Sequence, residues 1–241
     1  MQYETIHEDD DILVVDKLAP LPVQKDKSGD MDLQTLLLSD SDHPRPFLEA
    51  AHRIDRRTSG ILVFARNAEA LRALEAAFRD RKVHKTYLAC LEKEPLPHEG
   101  TLRHRIVTDP VRNISRALPL GSPARDKEEP GKEHPAKAVP AELSYRLILP
   151  TERYFFVEAS PLTGRHHQIR AQFAAVGWPI RGDLKYGARR SSPSGRIMLH
   201  GYRIEFDHPR SGERMTFTAP LPRDETLWTL LADFLAGETA H

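Results

Sequence analysis

The stretch His52-Arg53-Ile54-Asp55-Arg56-Arg57-Thr58-Ser59-Gly60-Ile61-Leu62-Val63-Phe64-Ala65 decides how this chain is read. Its second half is a continuous apolar run without polar alternation, the composition of a strand buried on both faces. Its first half sets one acid among three arginines, with Thr58-Ser59-Gly60 supplying turn chemistry and capping hydroxyls. A carboxylate so placed at the mouth of a sheet is expected to stay ionised, since an opposite charge within about 4–6 Å lowers an acid's pKa by roughly 1–3 units. From the residues alone, Asp55 is either a salt-bridge partner or a nucleophile.

Downstream, Asn67 stands as N-cap of a helix over 68–81 with the stripe Leu71, Leu74, Phe78, and Thr86 to Leu91 reads as another strand. Upstream, Tyr3 to Lys17 reads as a hairpin that Pro20 and Pro22 stop, and Asp32 to Leu38 as a short helix. Residues 121–140 turn to Pro, Gly, Lys, Glu and Asp, the composition of a mobile surface loop. Strands resume at Leu143 to Leu149 and Tyr154 to Ala159, then a helix runs from His167 to Val176. Strands at Ile197 to Phe206 and Met215 to Thr218 precede a final helix, Glu225 to Leu235, which stops at Gly237. Strands outnumber helices and most connections are too short for parallel crossovers. The expectation is one α+β domain over 1–241, built on a mixed, largely antiparallel sheet.

The chain has 241 residues and one cysteine, Cys90, which excludes an intramolecular disulfide framework and a thiolate zinc site. No apolar run approaches 18 residues, and the segment before Lys17 carries acids but no Lys or Arg. A cytoplasmic protein without a membrane span is expected. The 35 basic and 35 acidic residues cancel. Their distribution is uneven: Arg165, Arg170, Arg181, Lys185, Arg189, Arg190, Arg196 and Arg203 face Asp183 alone across 163–203. Such segregation suits a phosphate-bearing partner while leaving the protein soluble.

Within that field lies Leu162-Thr163-Gly164-Arg165-His166-His167-Gln168-Ile169-Arg170. A Thr-Gly turn that brings backbone amides and an arginine to a helix start suits an anion. Adjacent His166 and His167 lack the i, i+3 or i+4 spacing by which a helix grips a metal, so no metal is expected. Ile169, Phe173 and Val176 make the core stripe.

Taken together, His52-Arg53-Ile54-Asp55-x-x-Thr58-Ser59-Gly60 resembles the signature of the RluA family of pseudouridine synthases, and other blocks follow in the same order. Lys85-Thr86-Tyr87-Leu88-Ala89 is similar to its tyrosine motif. Thr163-Gly164-Arg165-x-His167-Gln168-Ile169-Arg170, with Gly177-x-Pro179-Ile180-x-Gly182-Asp183-x-x-Tyr186-Gly187, resembles its third block, and Leu199-His200, Phe206-x-His208-Pro209 and Ala219-Pro220 its closing strands. The chain departs where the family usually has Asn-Lys-Pro, here Asp16-Lys17-Leu18, and Tyr3 comes too early for the S4 RNA-binding domain of many relatives.

The resemblance implies a pseudouridine-synthase fold, RNA as substrate (ribosomal or transfer), no cofactor, and a monomer without an obligate protein partner. It makes Asp55 the catalytic residue, Arg165 its basic companion and Tyr87 the ring against the target base, with Ile169 beneath. Arg53 is to meet the RNA, and His52, Thr58, Arg170, Arg189 and Arg190 are further candidates for RNA contact. Two other readings stay open: a non-catalytic RNA-binding protein of the same fold, and an Asp-dependent nucleotide or sugar hydrolase in which His52 or His200 relays protons.

Overall fold

The computed structural model describes residues 2–26, 29–40, 44–121, 138–192, 194–223 and 225–238; most of the loop expected over 121–140 lies outside them. In chain order the elements are β1 (Tyr3–Glu8), β2 (Ile12–Lys17), α1 (Leu33–Leu38), β3 (Glu49–Ala50), β4 (Ser59–Ala65), α2 (Ala68–Arg79) and β5 (His84–Leu91). There follow β6 (Glu99–Asp109), β7 (Ile114–Pro119), β8 (Val139–Pro150), β9 (Phe155–Pro161), α3 (Gln168–Ala175), β10 (Leu199–Asp207), β11 (Arg214–Thr218) and α4 (Thr226–Glu238). The expected α+β class with a mixed, mainly antiparallel sheet is what the chain adopts. Two compact units form, one from Met1–Leu88 with Ser192–His241 and one from Ala89–Ser191.

In the first unit β4 is the central strand, and all seven of its residues are buried, as its unbroken apolar run requires. It pairs antiparallel with β2, from Ile12 opposite Ala65 to Lys17 opposite Gly60, and β2 pairs with β1. Ile61, Val63 and Ala65 meet Ile12 and Val14 of β2, Ala70 and Leu74 of α2, and Ile204 and Phe206 of β10 in one cluster. The α2 stripe is therefore anchored where the sequence placed it. The Asn67 side chain caps the helix, accepting the Ala70 N–H at 2.8 Å.

On its other side β4 runs parallel to β10, with Ser59 beside His200 and Gly60 beside Gly201. Gly60 has φ +117°, and a Cβ there would come within 2.6 Å of the Gly201 Cα and closer still to its N and O. Gly201 is less constrained: a Cβ on it would sit at ordinary contact distance, 3.4 Å from the Ile61 amide nitrogen and 3.5 Å from the Tyr87 ring. Two glycines thus let the strand that follows the Asp55 turn approach β10, and leave room for the tyrosine of β5.

In the second unit β9, β8, β6 and β7 form an antiparallel meander in that order. Ala171 of α3 lies in one buried cluster with Ile106 of β6 and Ala141 of β8, with Ile114 and Ala117 of β7 at its margin.

Candidate active site

The turn carrying Asp55 is built from the chain's own hydrogen bonds. The Thr58 N–H donates to the Asp55 carbonyl at 3.0 Å, closing it. The Arg56 carbonyl accepts the Leu21 N–H at 3.0 Å and the Lys17 ammonium at 3.2 Å, and the Arg57 carbonyl accepts the Ile197 N–H at 3.2 Å. Ile54 and Thr58 are buried on either side of the aspartate, while Arg53, Arg56 and Arg57 are exposed. Apolar anchors and fixed carbonyls therefore hold the backbone while Asp55 stays partly accessible, the condition for a preorganised reactive group.

His52 and Thr58, two of the residues expected to touch RNA, support this turn. The His52 Nε2 accepts the Val63 N–H at 3.2 Å, and its ring lies 5.0 Å from that of Phe78. Burial and the nearby Lys85 charge push its pKa down to about 3, so it is neutral at physiological pH with its acceptor nitrogen committed to β4. Thr58 is 1% exposed. His200, the other relay of the hydrolase reading, is fully buried with Nδ1 2.9 Å from the Ser59 hydroxyl, and burial also pushes its pKa down to about 3.

Tyr87 joins Asp55 in the first unit. Its phenol is pushed up from the ordinary tyrosine value by burial and then by the Asp55 charge, which keeps the hydroxyl protonated.

Arg165, Ile169, Arg170, Arg189 and Arg190 belong to the second unit. Arg165 is exposed, its Nε donating to the Pro140 carbonyl at 3.2 Å. Its turn is tied by a residue the sequence reading passed over, Gln168. That side chain's Oε1 accepts the Thr163 hydroxyl at 2.8 Å and the Arg165 N–H at 3.0 Å, and its Nε2 donates to the Glu142 carbonyl at 3.0 Å. Ile169 is buried on α3, and Arg189 and Arg190 are exposed.

Arg170, also expected to touch RNA, is enclosed: its Nε and Nη2 donate to the two Asp183 oxygens at 2.6 and 2.9 Å, its guanidinium lies 4.7 Å from the Tyr186 ring centre, and it is 5% exposed. A bidentate buried pair of this kind is structural. His166 and His167 stack with ring centres 3.8 Å apart, their Nδ1 atoms 2.9 Å from the Ser115 and Tyr186 hydroxyls respectively.

The described residues hold one cluster of metal-ligand chemistry, Asp9, Asp11 and His208, and its oxygens are engaged. Asp9 Oδ1 accepts the Asp11 and Ile12 amides, and Asp11 Oδ1 accepts Asn67 and Arg210. It serves as the joint of the β1–β2 turn.

Below the Asp55 turn lie Asp16 and Lys17, 3% and 0% exposed. Burial, reinforced by Glu4, pushes the Asp16 pKa up to about 7. A carboxyl raised above its unfolded value adds nothing against folding while both states are protonated, and costs stability as pH climbs from the unfolded value to the folded one. Asp16→Asn is expected to match the parent protein near pH 4 and to be more stable by roughly 2–4 kcal/mol at pH 8. Urea unfolding at the two pH values checks this; an equal difference at both would contradict it.

With this geometry in view, the fold can be placed. It is shared with two human proteins of solved structure, RNA pseudouridylate synthase domain containing 4 and domain containing 1, at TM-scores of 0.73 and 0.70. The alignments cover 94% and 97% of this chain and 91% and 95% of theirs, at 24% identity each. The fold is therefore that of a pseudouridine synthase.

Sequence comparison makes the assignment one of family. Residues 11–175 match the family described as RNA pseudouridylate synthase, and the chain belongs to it, an isomerase family acting on RNA. Among its curated relatives is the ribosomal large subunit pseudouridine synthase C of Haemophilus ducreyi, 32% identical over 98% of this chain and 70% of the relative. Its counterpart in Vibrio vulnificus is 34% identical over 90% and 65%. The chain thus spans about two thirds of these relatives' length.

Proposed function

We propose that this chain converts uridine to pseudouridine in RNA of the large ribosomal subunit, with Asp55 as the nucleophile, acting as a monomer in the cytoplasm. The observation that carries this reading is the placing of Asp55, a partly accessible carboxylate on a backbone turn fixed by Thr58, Leu21, Lys17 and Ile197. The names of the most similar relatives support the choice of ribosomal RNA.

The chemistry balances without a donor or oxidant. The N1–C1′ bond breaks, the uracil turns, a C5–C1′ bond forms, and the proton lost from C5 is matched by one gained at N1. An ionised, positioned carboxylate can start this by attack at C1′ or at C6. Stacked bases are out of reach of such a turn, so the target uridine must be everted, and Arg53, exposed two residues before Asp55, is suited to fill its place or hold its phosphate. Arg165 enters this proposal through its motif, Thr163-Gly164-Arg165, alone.

The Tyr87 ring offers a stacking face worth about 1–3 kcal/mol. Its protonated hydroxyl acts as a donor, and could take the C5 proton only while passing its own to Asp55.

Arg189 and Arg190 are assigned to backbone phosphates. Arg190→Ala is expected to weaken RNA binding and to make the slope of log K against log salt shallower by roughly 0.7–1. Filter binding between low and moderate salt reads this; an unchanged slope removes Arg190 from the interface.

The function is tested by tritium release from C5-labelled large-subunit ribosomal RNA, with carbodiimide-dependent primer-extension stops mapped in cells with and without the protein. Release from ribosomal RNA and a missing stop in the deletion strain are expected. Stops lost only from transfer RNA would move the substrate, turnover of free nucleotides would favour the hydrolase, and RNA binding without release would favour the non-catalytic protein.

A further inference from the structure

Two imidazoles at the start of α3 have no part in the chemistry assigned to Asp55 and Tyr87. His166 and His167 are neighbours in sequence, and neighbours on a helix do not face each other. Here their rings stack, with centres 3.8 Å apart and planes 25° from parallel. The backbone departs from the helix where they meet: His167, the residue before α3, has φ +51°, and its side chain makes no capping hydrogen bond. A left-handed conformation is strained for a residue with a side chain, and a helix start normally carries a side chain that caps it. His167 does neither of the ordinary things, and what its placement achieves is the stack.

The stack is anchored from the buried side. His167 Nδ1 lies 2.9 Å from the Tyr186 hydroxyl, which accepts the Ser115 N–H at 2.8 Å. The Tyr186 ring is buried, edge-on to His167, with the Arg170 guanidinium over it and Asp183 paired to that guanidinium. His166 Nδ1 lies 2.9 Å from the Ser115 hydroxyl, itself 3.0 Å from the Thr108 hydroxyl. A ladder of planar groups therefore runs outward from Asp183 through Arg170, Tyr186 and His167 and ends at His166, which is exposed. One face of the His166 ring is covered by His167 and one edge is held by Ser115, so the exposed part of this residue includes the opposite face, already oriented.

An aromatic face offered without rotamer freedom is what receives unstacked bases in RNA recognition, and histidine is among the rings so used. Little ordering remains to be done when the base arrives. Charge favours the same ligand: Arg165 precedes His166 and Lys185 precedes Tyr186, both exposed, and residues 162–170 contain no acid.

We infer that His166 is a stacking platform for an unpaired base of the RNA substrate, other than the uridine assigned to Tyr87, and that the strained His167 is kept to back it. The inference rests on RNA being the substrate of the family to which the chain belongs, and does not need Asp55 to be the reacting group.

The test compares the full chain with His166→Ala and His166→Phe on two probes, a short mixed-sequence single-stranded RNA and the duplex it forms with its complement. Fluorescence anisotropy is read across a range of salt in mildly alkaline buffer, where imidazole is uncharged. His166→Ala is expected to bind the single strand at least about tenfold more weakly and the duplex within about twofold of the parent, and His166→Phe to recover the single strand to within about threefold. The slope of log K against log salt is expected to stay that of the parent, since stacking neutralises no phosphate. A shallower slope in His166→Ala would make the residue a phosphate contact, an equal loss on both probes would make it a prop of the loop, and no loss would leave the ring without a ligand. Each of these overturns the inference, as does a phenylalanine that fails to recover binding. Tritium release judges the proposed reaction separately, so the two can fail independently.

Discussion

Asp55→Asn is expected to fold and bind RNA but to form no pseudouridine, a loss of about four orders of magnitude or more in rate, which is over 5 kcal/mol of transition-state stabilisation. The substitution keeps the side chain's shape and removes its charge, so it separates chemistry from scaffold. The turn itself is closed by main-chain groups of Asp55, Arg56 and Arg57, which the substitution leaves in place. RNA affinity measured beside tritium release makes the comparison clean. Product at the parent rate would return Asp55 to the role of a plain ion-pair partner.

Gly60→Ala is expected to cost at least about 3 kcal/mol and to abolish soluble expression, since it combines overpacking with backbone strain. The added methyl meets Gly201 backbone that belongs to the neighbouring strand and cannot swing aside as a side chain would. The φ of +117° adds its own penalty for an L residue. Gly177→Ala separates the two contributions, because Gly177 has φ +82° but open space around it and should lose only about 1 kcal/mol. Urea unfolding of both variants reads the difference; equal losses would show that the contact with Gly201 yields.

The sequence was most legible where a run of residues had one physical reading. Ile61 to Ala65 has no polar position, so it could only be an interior strand, and Asn67 with the Leu71, Leu74, Phe78 stripe set the next helix. The β6–β7 hairpin is not legible in the sequence because Arg103, Arg105 and Arg116 interrupt strands whose burial is only partial, leaving too little apolar alternation to read. Local pattern is silent at Arg170: the single acid of its basic field, Asp183, is its partner, and nothing at 13 residues' separation announces such a pairing.

For the candidate site, Asp55 and Tyr87 stand out in the sequence through the motifs that carry them, whereas the burial of Lys17 does not. A charged residue at a strand end is normally solvated, and only the register opposite Gly60 and the two carbonyls below the turn show that this one is enclosed. Gln168 is similar, since a glutamine on a helix gives no hint that it organises the loop before it.

The parallel pairing of β4 with β10 also bears on how the protein comes into being. Ser59 reaches His200 across 141 positions of chain, and the compartment that holds Asp55 borrows everything from Ser192 onward. During translation the aspartate emerges early, but its strand lacks its parallel flank until Leu199–Asp207 has followed. A chain interrupted before β10 would carry Asp55 on a strand with an open edge, a template for pairing with other chains.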